Sequence, residues 1–377
     1  MKASTTGGRD RHPDPGHLLP DRAFPHPDRE FPHPERDYAS WEFWPARLFE
    51  APYYATLLAG CVLRALPPLS LARANWALDH GEIGIGSKFA TQQAFAQDRF
   101  PATELLRSAD DVAARAAQLR AFGDRNGWPV IVKPDQGAVG KGVRRVAAQD
   151  DHHGIVSALA SDHLLQAWCP QPAEFGVFWR RERGDGRITG INGKHFPTVV
   201  GDGVRDLGAL AAVHPRFTAH WQLFLPDHDL QRVPDAGEAV RLSFVGSHTM
   251  GCRFSDDSHL QTPALLDAVR AFCDSQPGYN FGRLDVRCDD VSALQRGDFV
   301  VIEANGVASL PTHMFDPRYR PLDAWRIFCE HGAALTRIAA EHRDVPMVLA
   351  PLRGIVERVG ASRARLDAAH SRALDGA

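Results

Sequence analysis

Two lysines, a glycine-rich turn, two carboxylates and an asparagine carry the chemistry that this chain shows first. The first group lies in the run VIVKPDQGAVGKGV, residues 130–143. An apolar, β-forming stretch ends in Lys133. A turn with Gly137, Gly140 and Gly142 and a second lysine, Lys141, follows it. Such a segment can lay backbone N–H groups and ammonium charge along a polyphosphate. It is not a Walker loop, because Asp135 and Gly142 stand where that motif needs Gly and Ser or Thr. No Gly-x-Gly precedes a helix here, which excludes a dinucleotide fingerprint. Taken alone, a glycine-rich turn after a strand is more often a plain hairpin.

A second signature lies roughly 150 residues downstream, in GRLDVR (282–287) and GDFVVIEANG (297–306). These read as two adjacent strands, with Asp285 on one and Glu303 and Asn305 on the other. Positions two apart on a strand share a face, so Glu303 and Asn305 point the same way. Two carboxylates and an amide oxygen suit Mg²⁺, a hard ion that takes oxygen ligands and often shares them with phosphates. Asp289, Asp290 and Asp298 fit a surface turn instead. Asp285 and Glu303 stand among apolar residues, which a surface hairpin does not explain.

The elements that must hold these residues read as α+β. Helices are expected over 87–95, 110–122, 265–273 and 321–342, and strands over 128–133, 163–168, 174–181 and 299–303. Upstream, residues 41–71 are apolar and aromatic, interrupted by Arg47, Glu50, Arg64, Pro52, Pro67 and Pro68. The run is too short to span a bilayer. It reads as a core helix pair, or as an interfacial element with Trp41, Trp44, Tyr53 and Tyr54 at headgroup level. Residues 1–37 are rich in Pro, His, Asp and Arg and hold a near-duplicate, FPHPDRE then FPHPERD. That composition predicts an extended tail, with His26 and His33 solvated rather than metal-bound.

Composition narrows the function classes. At 377 residues, 44% hydrophobic and 24% charged, the chain is long enough for two or three lobes. A net charge of −3 and the lack of a basic block argue against nucleic acid. Six cysteines without a C-x-x-C pair fit reduced thiols in a cytoplasm. No secretory signal is expected. Asp151, His152 and His153 read as a solvated loop. Arg205, Arg216, His248 and Arg253 are candidates for a substrate contact or for loop solvation.

Lys133, the Gly137–Gly142 loop, Glu174 and the Asp285, Glu303, Asn305 set, in that order, resemble the ATP-grasp superfamily over about residues 85–315. The resemblance implies two α+β lobes clamping ATP, within an ATP-grasp domain over 85–320 whose smaller lobe spans about 120–180. A reduced N-terminal element over 38–84 and a C-terminal helical segment over 321–377 complete the expected organisation. It also implies roles. Lys88 and Lys133 would neutralise α- and β-phosphates, with Lys194 a further phosphate-proximal lysine. The loop carrying Gly137, Ala138, Gly140, Lys141 and Gly142 would cover the phosphates. Backbone groups of Ala167, Trp168 and Cys169 would read adenine, with Gln166 where many relatives carry Glu, and Glu174 would hold ribose. Asp285, Glu303 and Asn305 would hold a pair of Mg²⁺ ions. Arg283 would stabilise the anionic intermediate, with Lys133 and Asn305 near the transferring phosphate.

The implied reaction is carboxylate–amine ligation through an acylphosphate, on small or carrier-presented substrates. A kinase or a nucleotide-binding protein at a membrane surface is the alternative. The chain is similar to D-alanine–D-alanine ligases at GRLD and EAN, and to the cyanophycin synthetase insert at FPTVVGDG (196–203). Three departures put D-alanine in doubt. Ala138 and Met314 replace serines, and the first lobe is reduced to a compact aromatic segment expected to help hold a larger or more apolar substrate.

Overall fold

The computed structural model describes residues 41–83, 86–137, 140–216, 228–248 and 251–347, with Gly354, Glu357, Gly360 and Ala364 beyond them. The expectations for residues 1–37, for Ala138 and for most of the tail after Gly360 lie outside the described residues.

The N-terminal segment forms α1 (Ala46–Phe49), α2 (Ala51–Leu63) and a 3₁₀ segment over Pro68–Asn75. Pro52 sits in the first turn of α2, where a missing N–H costs nothing. Helix α3 (Lys88–Gln93) begins at Ser87, whose hydroxyl accepts from Ala90 N–H. A four-stranded antiparallel sheet follows, in the order β1-β4-β2-β3. It consists of β1 (Thr103–Leu106), β2 (Val130–Pro134), β3 (Arg144–Val146) and β4 (His163–Ala167). Between these strands, α4 (Val112–Asn126) and α5 (His152–Ser157) cover one sheet face. They bury Leu119, Phe122 and Val156 against Leu106, Val130, Val132 and Leu165.

The second sheet is five-stranded and antiparallel, ordered β11-β10-β5-β6-β9. Its first members are β5 (Ala173–Glu182) and β6 (Asp185–His195). A small two-stranded antiparallel sheet, β7 (Thr198–Val200) with β8 (Ala239–Arg241), packs on α6 (Leu207–Ala212). Then come β9 (Arg253–Asp256), α7 (Pro263–Asp274), β10 (Phe281–Cys288), α8 (Val291–Arg296), β11 (Val300–Asn305) and α9 (Pro321–Glu341). The inward side chains of β5, β6 and β10 (Val177, Trp179, Ile191, Leu284, Val286) meet Leu265, Val269 and Phe272 of α7. Each fully buried aliphatic side chain contributes about 2 kcal/mol, so this layer fixes the sheet that carries the acidic residues. The protein is α+β, two antiparallel sheets with helices on their outer faces, as expected.

The aromatic-apolar segment is mostly core. Leu71 and Ala74 pack with Leu335 and Ile338 of α9, and Trp41, Phe49 and Tyr53 pack with Phe328. Asn75 is fully buried, donating to Phe281 O at 2.7 Å and accepting from the N–H groups of Asn280 and Phe281. One face of α2 stays exposed, through Tyr54, Leu58, Val62 and Leu63. Among the described residues no single helix is long and apolar enough to cross a membrane, and α2 meets the Pro68–Asn75 segment at 91°.

Candidate active site

The two sheets face each other across a cleft of about 540 Å³, lined by Lys88, Lys133, Lys194, Arg283, Asp285 and Glu303 among others. Strand alternation delivers most of these. On β10, Leu284 and Val286 point into the core while Arg283, Asp285 and Arg287 line the cleft. β11 departs from simple alternation. Asp285 pairs with Glu303 but Val286 pairs with Val301, so Ile302 is an extra residue in a β-bulge. Val301 and Ala304 consequently both enter the core, while Ile302 and Glu303 both line the cleft. The bulge also turns the Ile302 carbonyl to accept from Lys133 Nζ at 3.2 Å.

Each acidic group sits against cations. Asp285 accepts from Arg283 through both oxygens at 2.9 Å and from Lys194 Nζ at 2.9 Å. Burial alone would push the Asp285 carboxyl up, but Arg283 and Lys194 outweigh it and hold it at about 2. Glu303 pairs with Lys88 at 3.0 Å. Burial opposes its charge, but Lys88 and Lys133 win, and its pKa is lowered. The Asn305 amide donates to Asp285 at 3.2 Å. These donors offer oxygen only, which fits a hard divalent ion. Among the described residues no cluster of three His, Cys, Asp or Glu side chains stands ready for a metal. An ion held by Asp285, Glu303 and Asn305 would therefore draw its remaining ligands from substrate or water.

The lysines come from three places. Lys88 opens α3 and donates to Gly137 O at 2.6 Å. Burial opposes its ammonium, but Glu303, Glu82 and Asp135 raise its pKa. Asp135 ties α3 to the end of β2, accepting from Ser87 Oγ and from Phe89 N–H. Lys133 donates to Gln166 Oε1 at 3.0 Å, and burial, with Lys88 nearby, lowers its pKa. Gln166 lies buried on the neighbouring strand, so its side chain positions Lys133. For Lys194, burial is again opposed, here by Asp285 and Glu174, which raise its pKa.

Glu174 lines the cleft, yet both its oxygens are engaged within the protein. Oε1 accepts from Lys194 at 2.9 Å, and Oε2 accepts from Arg287 Nε at 3.0 Å and Nη2 at 2.9 Å. Glu174 is the counter-ion of two buried cations. At the last residue of β4, Ala167 N–H donates to Ala102 O, and in the connection beyond it Cys169 O accepts from Arg287. The Arg287 guanidinium lies 5.2 Å from the Trp168 ring.

Gly137 and Gly140 of the glycine-rich turn line the cleft, with Gly140 at φ 78° and Gly142 at φ 76°. Any side chain on Gly140 would strike Val245, whose Cγ1 would lie 2.3 Å from a Cβ there. The segment around Val245 to His248 thus meets the turn from the opposite side. Lys141 lines the cleft as well.

Two residues that line the cleft, Arg287 and Glu82, were not among those expected from the sequence. Arg287 was accessible to it, being four residues after Arg283 on an alternating strand. Glu82 carried no signal. It has φ 56°, bonds Thr91 Oγ1 and accepts from Gly306 N–H at 2.7 Å. Among the remaining candidates, Arg205 pairs with Asp202 on the surface and Arg216 pairs with Glu42. His248 lines the cleft. Asp151 caps α5, and His152 stacks on Trp128 at 4.9 Å.

Fold and site together define an α+β protein whose two antiparallel sheets close on a lysine- and carboxylate-lined cleft, the arrangement that the ATP-grasp resemblance implies. No family model and no curated protein matches the sequence. Similar solved structures include a bifunctional glutathione synthetase from Pasteurella multocida, 16% identical over 64% of this chain and 35% of that one, with a TM-score of 0.34. A carboxyaminoimidazole ribonucleotide synthase from Aspergillus clavatus complexed with ATP is 12% identical over 59% and 44%, with a TM-score of 0.35. A D-alanine–D-alanine ligase from Bacillus anthracis complexed with ATP is 15% identical over 72% and 67%, with a TM-score of 0.35. The chain spans less than half the length of the first two.

Proposed function

We propose that this chain is an ATP-dependent carboxylate–amine ligase of the ATP-grasp kind. The observation that carries this reading is the convergence of Lys88, Lys133 and Lys194 with Asp285, Glu303 and Asn305 in one cleft between two sheets. Lys88 and Lys194 are held in place by the same carboxylates that would hold a metal. A polyphosphate and a divalent ion entering together can exchange partners with these pairs, leaving no buried charge unpaired. When bound, Mg²⁺ neutralises phosphate charge.

In this reading, a substrate carboxylate oxygen attacks the γ-phosphorus while the bond to the ADP oxygen breaks, giving an acylphosphate. An amine nitrogen then attacks the acyl carbon and loses its proton, and phosphate leaves. The chain supplies position and charge: Lys88 and Lys133 on the phosphates, and Arg283 on the oxyanion. The carboxylate is its own nucleophile, so no Ser or Cys nucleophile is required. Peripheral membrane contact, where it occurs, would use the exposed face of α2.

A screen of carboxylates against amines for ADP release tests the reading. Turnover is expected only with both partners present, and Asp285→Asn and Glu303→Gln are expected to lose about 100-fold or more. ADP release with a hydroxyl acceptor alone would select a kinase, and wild-type rates in either variant would overturn the site.

A further inference from the structure

One end of the cleft is walled by rings. Phe254 lies beside Lys194 in strand register, which fixes it to the reacting side of the five-stranded sheet. His248 is 5.5 Å from Phe254 and stacks on Phe315 at 5.2 Å and 28°. Leu310 continues the same wall. Behind Phe315 stand Trp41 at 5.8 Å and Phe49 at 5.6 Å, both buried. The N-terminal segment therefore backs the wall as a second layer.

Its polar contribution is Glu42. The two carboxylate oxygens accept from Arg216 Nη2 at 2.7 and 2.6 Å, and one lies 3.1 Å from His248 Nε2. Burial opposes ionisation of Glu42, but the hydrogen bonds from His248 and Arg216 outweigh it and lower its pKa. An ionised Glu42 cancels the charge of Arg216, so this end of the cleft presents rings and alkyl groups beside a balanced ion pair. It is built to receive apolar surface rather than a charged side chain.

We infer that this end of the cleft is a substrate subsite for a carboxylate or amine bearing an aryl or branched alkyl group, and that Glu42 is the positioning residue holding its His248 wall. The assignment of the occupant as a ligation partner rests on the proposed ligase reading; the binding preference does not. Without the Glu42 carboxylate, Arg216 and His248 each lose one charged partner.

Calorimetric titration of the full chain tests this with two matched pairs, phenylacetate against acetate and benzylamine against methylamine. The six additional carbons predict at least tenfold tighter binding of one or both aryl probes. Phe315→Ala is expected to cut that preference below about threefold, and Glu42→Gln to cut it several-fold while Mg·ATP affinity stays within twofold. Should Phe315→Ala fail to fold, a nuclear Overhauser contact between aryl protons and the His248 ring, absent in His248→Asn, locates the probe without it. Equal affinity for aryl and methyl probes, or aryl binding indifferent to these variants, overturns the subsite. Mg·ATP titration is a separate arm. Its failure would overturn the ligase reading alone, whereas aryl indifference in a protein that binds Mg·ATP would overturn the subsite alone.

Discussion

Glu174 stands between two cations, Lys194 and Arg287, and all three side chains are almost wholly removed from water. Taking such charges out of water costs several kcal/mol each, and only complete pairing offsets it. A carboxylate in this position is therefore foremost a structural counter-ion, and it fixes where the Lys194 ammonium points. Glu174→Gln keeps the shape and removes the charge, leaving Lys194 with Asp285 alone and Arg287 without its carboxylate. The expected cost is about 3–5 kcal/mol, read as a lower urea midpoint. A loss below about 1 kcal/mol would show that the network relaxes freely. Asp285 and Glu303 were legible as a pair because both are acids in apolar strands. The engagement of Glu174 was not, since its partners lie 20 and 113 residues away in sequence.

Among the elements, β2, β4, β5, β10 and β11 and helices α4, α7 and α9 follow from apolar periodicity, to within a few residues at each end. β6 does not. Its sequence DGRITGINGKH carries glycines, residues that weaken an isolated strand and are tolerated here because neighbouring strands hydrogen-bond both edges. The bulge at Ile302 was equally silent, because an apolar residue facing a cleft looks the same in sequence as one facing a core. For the N-terminal segment the core-helix reading fits the burial on one side of α2, and the exposed face shows why composition left two readings open. α2 approaches α9 closely at Gly60, where a Cβ would lie 2.6 Å from Thr336 Oγ1. Gly60→Val should push the helices apart at a cost of about 1–3 kcal/mol, measured by thermal unfolding. Gly60→Ala already carries that Cβ, so an alanine variant as stable as the wild type would show that Thr336 gives way and that the close approach is not limiting.

Over the whole molecule, the N-terminal segment, α9 and the five-stranded sheet meet around two buried histidines. His331 on α9 packs 4.4 Å from Phe281 and 6.5 Å from Tyr53, with Nε2 3.0 Å from Ser309 O. His313 lies 5.2 Å from Phe178. Burial pushes His313 down to about 4, with Asp256 opposing, and His331 down to about 3. For His331, the Ser309 carbonyl opposes the shift, while His313, Arg180 and Arg283 reinforce it. Both histidines therefore stay neutral in the folded chain while the unfolded chain takes up protons near pH 6.5. Between those values the unfolded state binds more protons, so the stability they give is present above about pH 6.5 and is lost as pH falls towards 4. Each histidine contributes roughly 1.4 kcal/mol per pH unit in that window, or about 4 kcal/mol from the pair at pH 5. His163, His195 and His214, also lowered by burial, add in the same direction. Asp285 and Asp316, both held at about 2, lose their contribution only as pH falls through the range in which free carboxyls titrate, about 4 and below, well under the histidine window. Acid sensitivity between pH 6.5 and 5 is therefore a histidine property. Urea unfolding across that range should show stability falling steeply with pH, and His331→Met should remove about 1.4 kcal/mol per pH unit of the slope. A slope unchanged in that variant would place the acid sensitivity elsewhere than the joint between α9 and the five-stranded sheet.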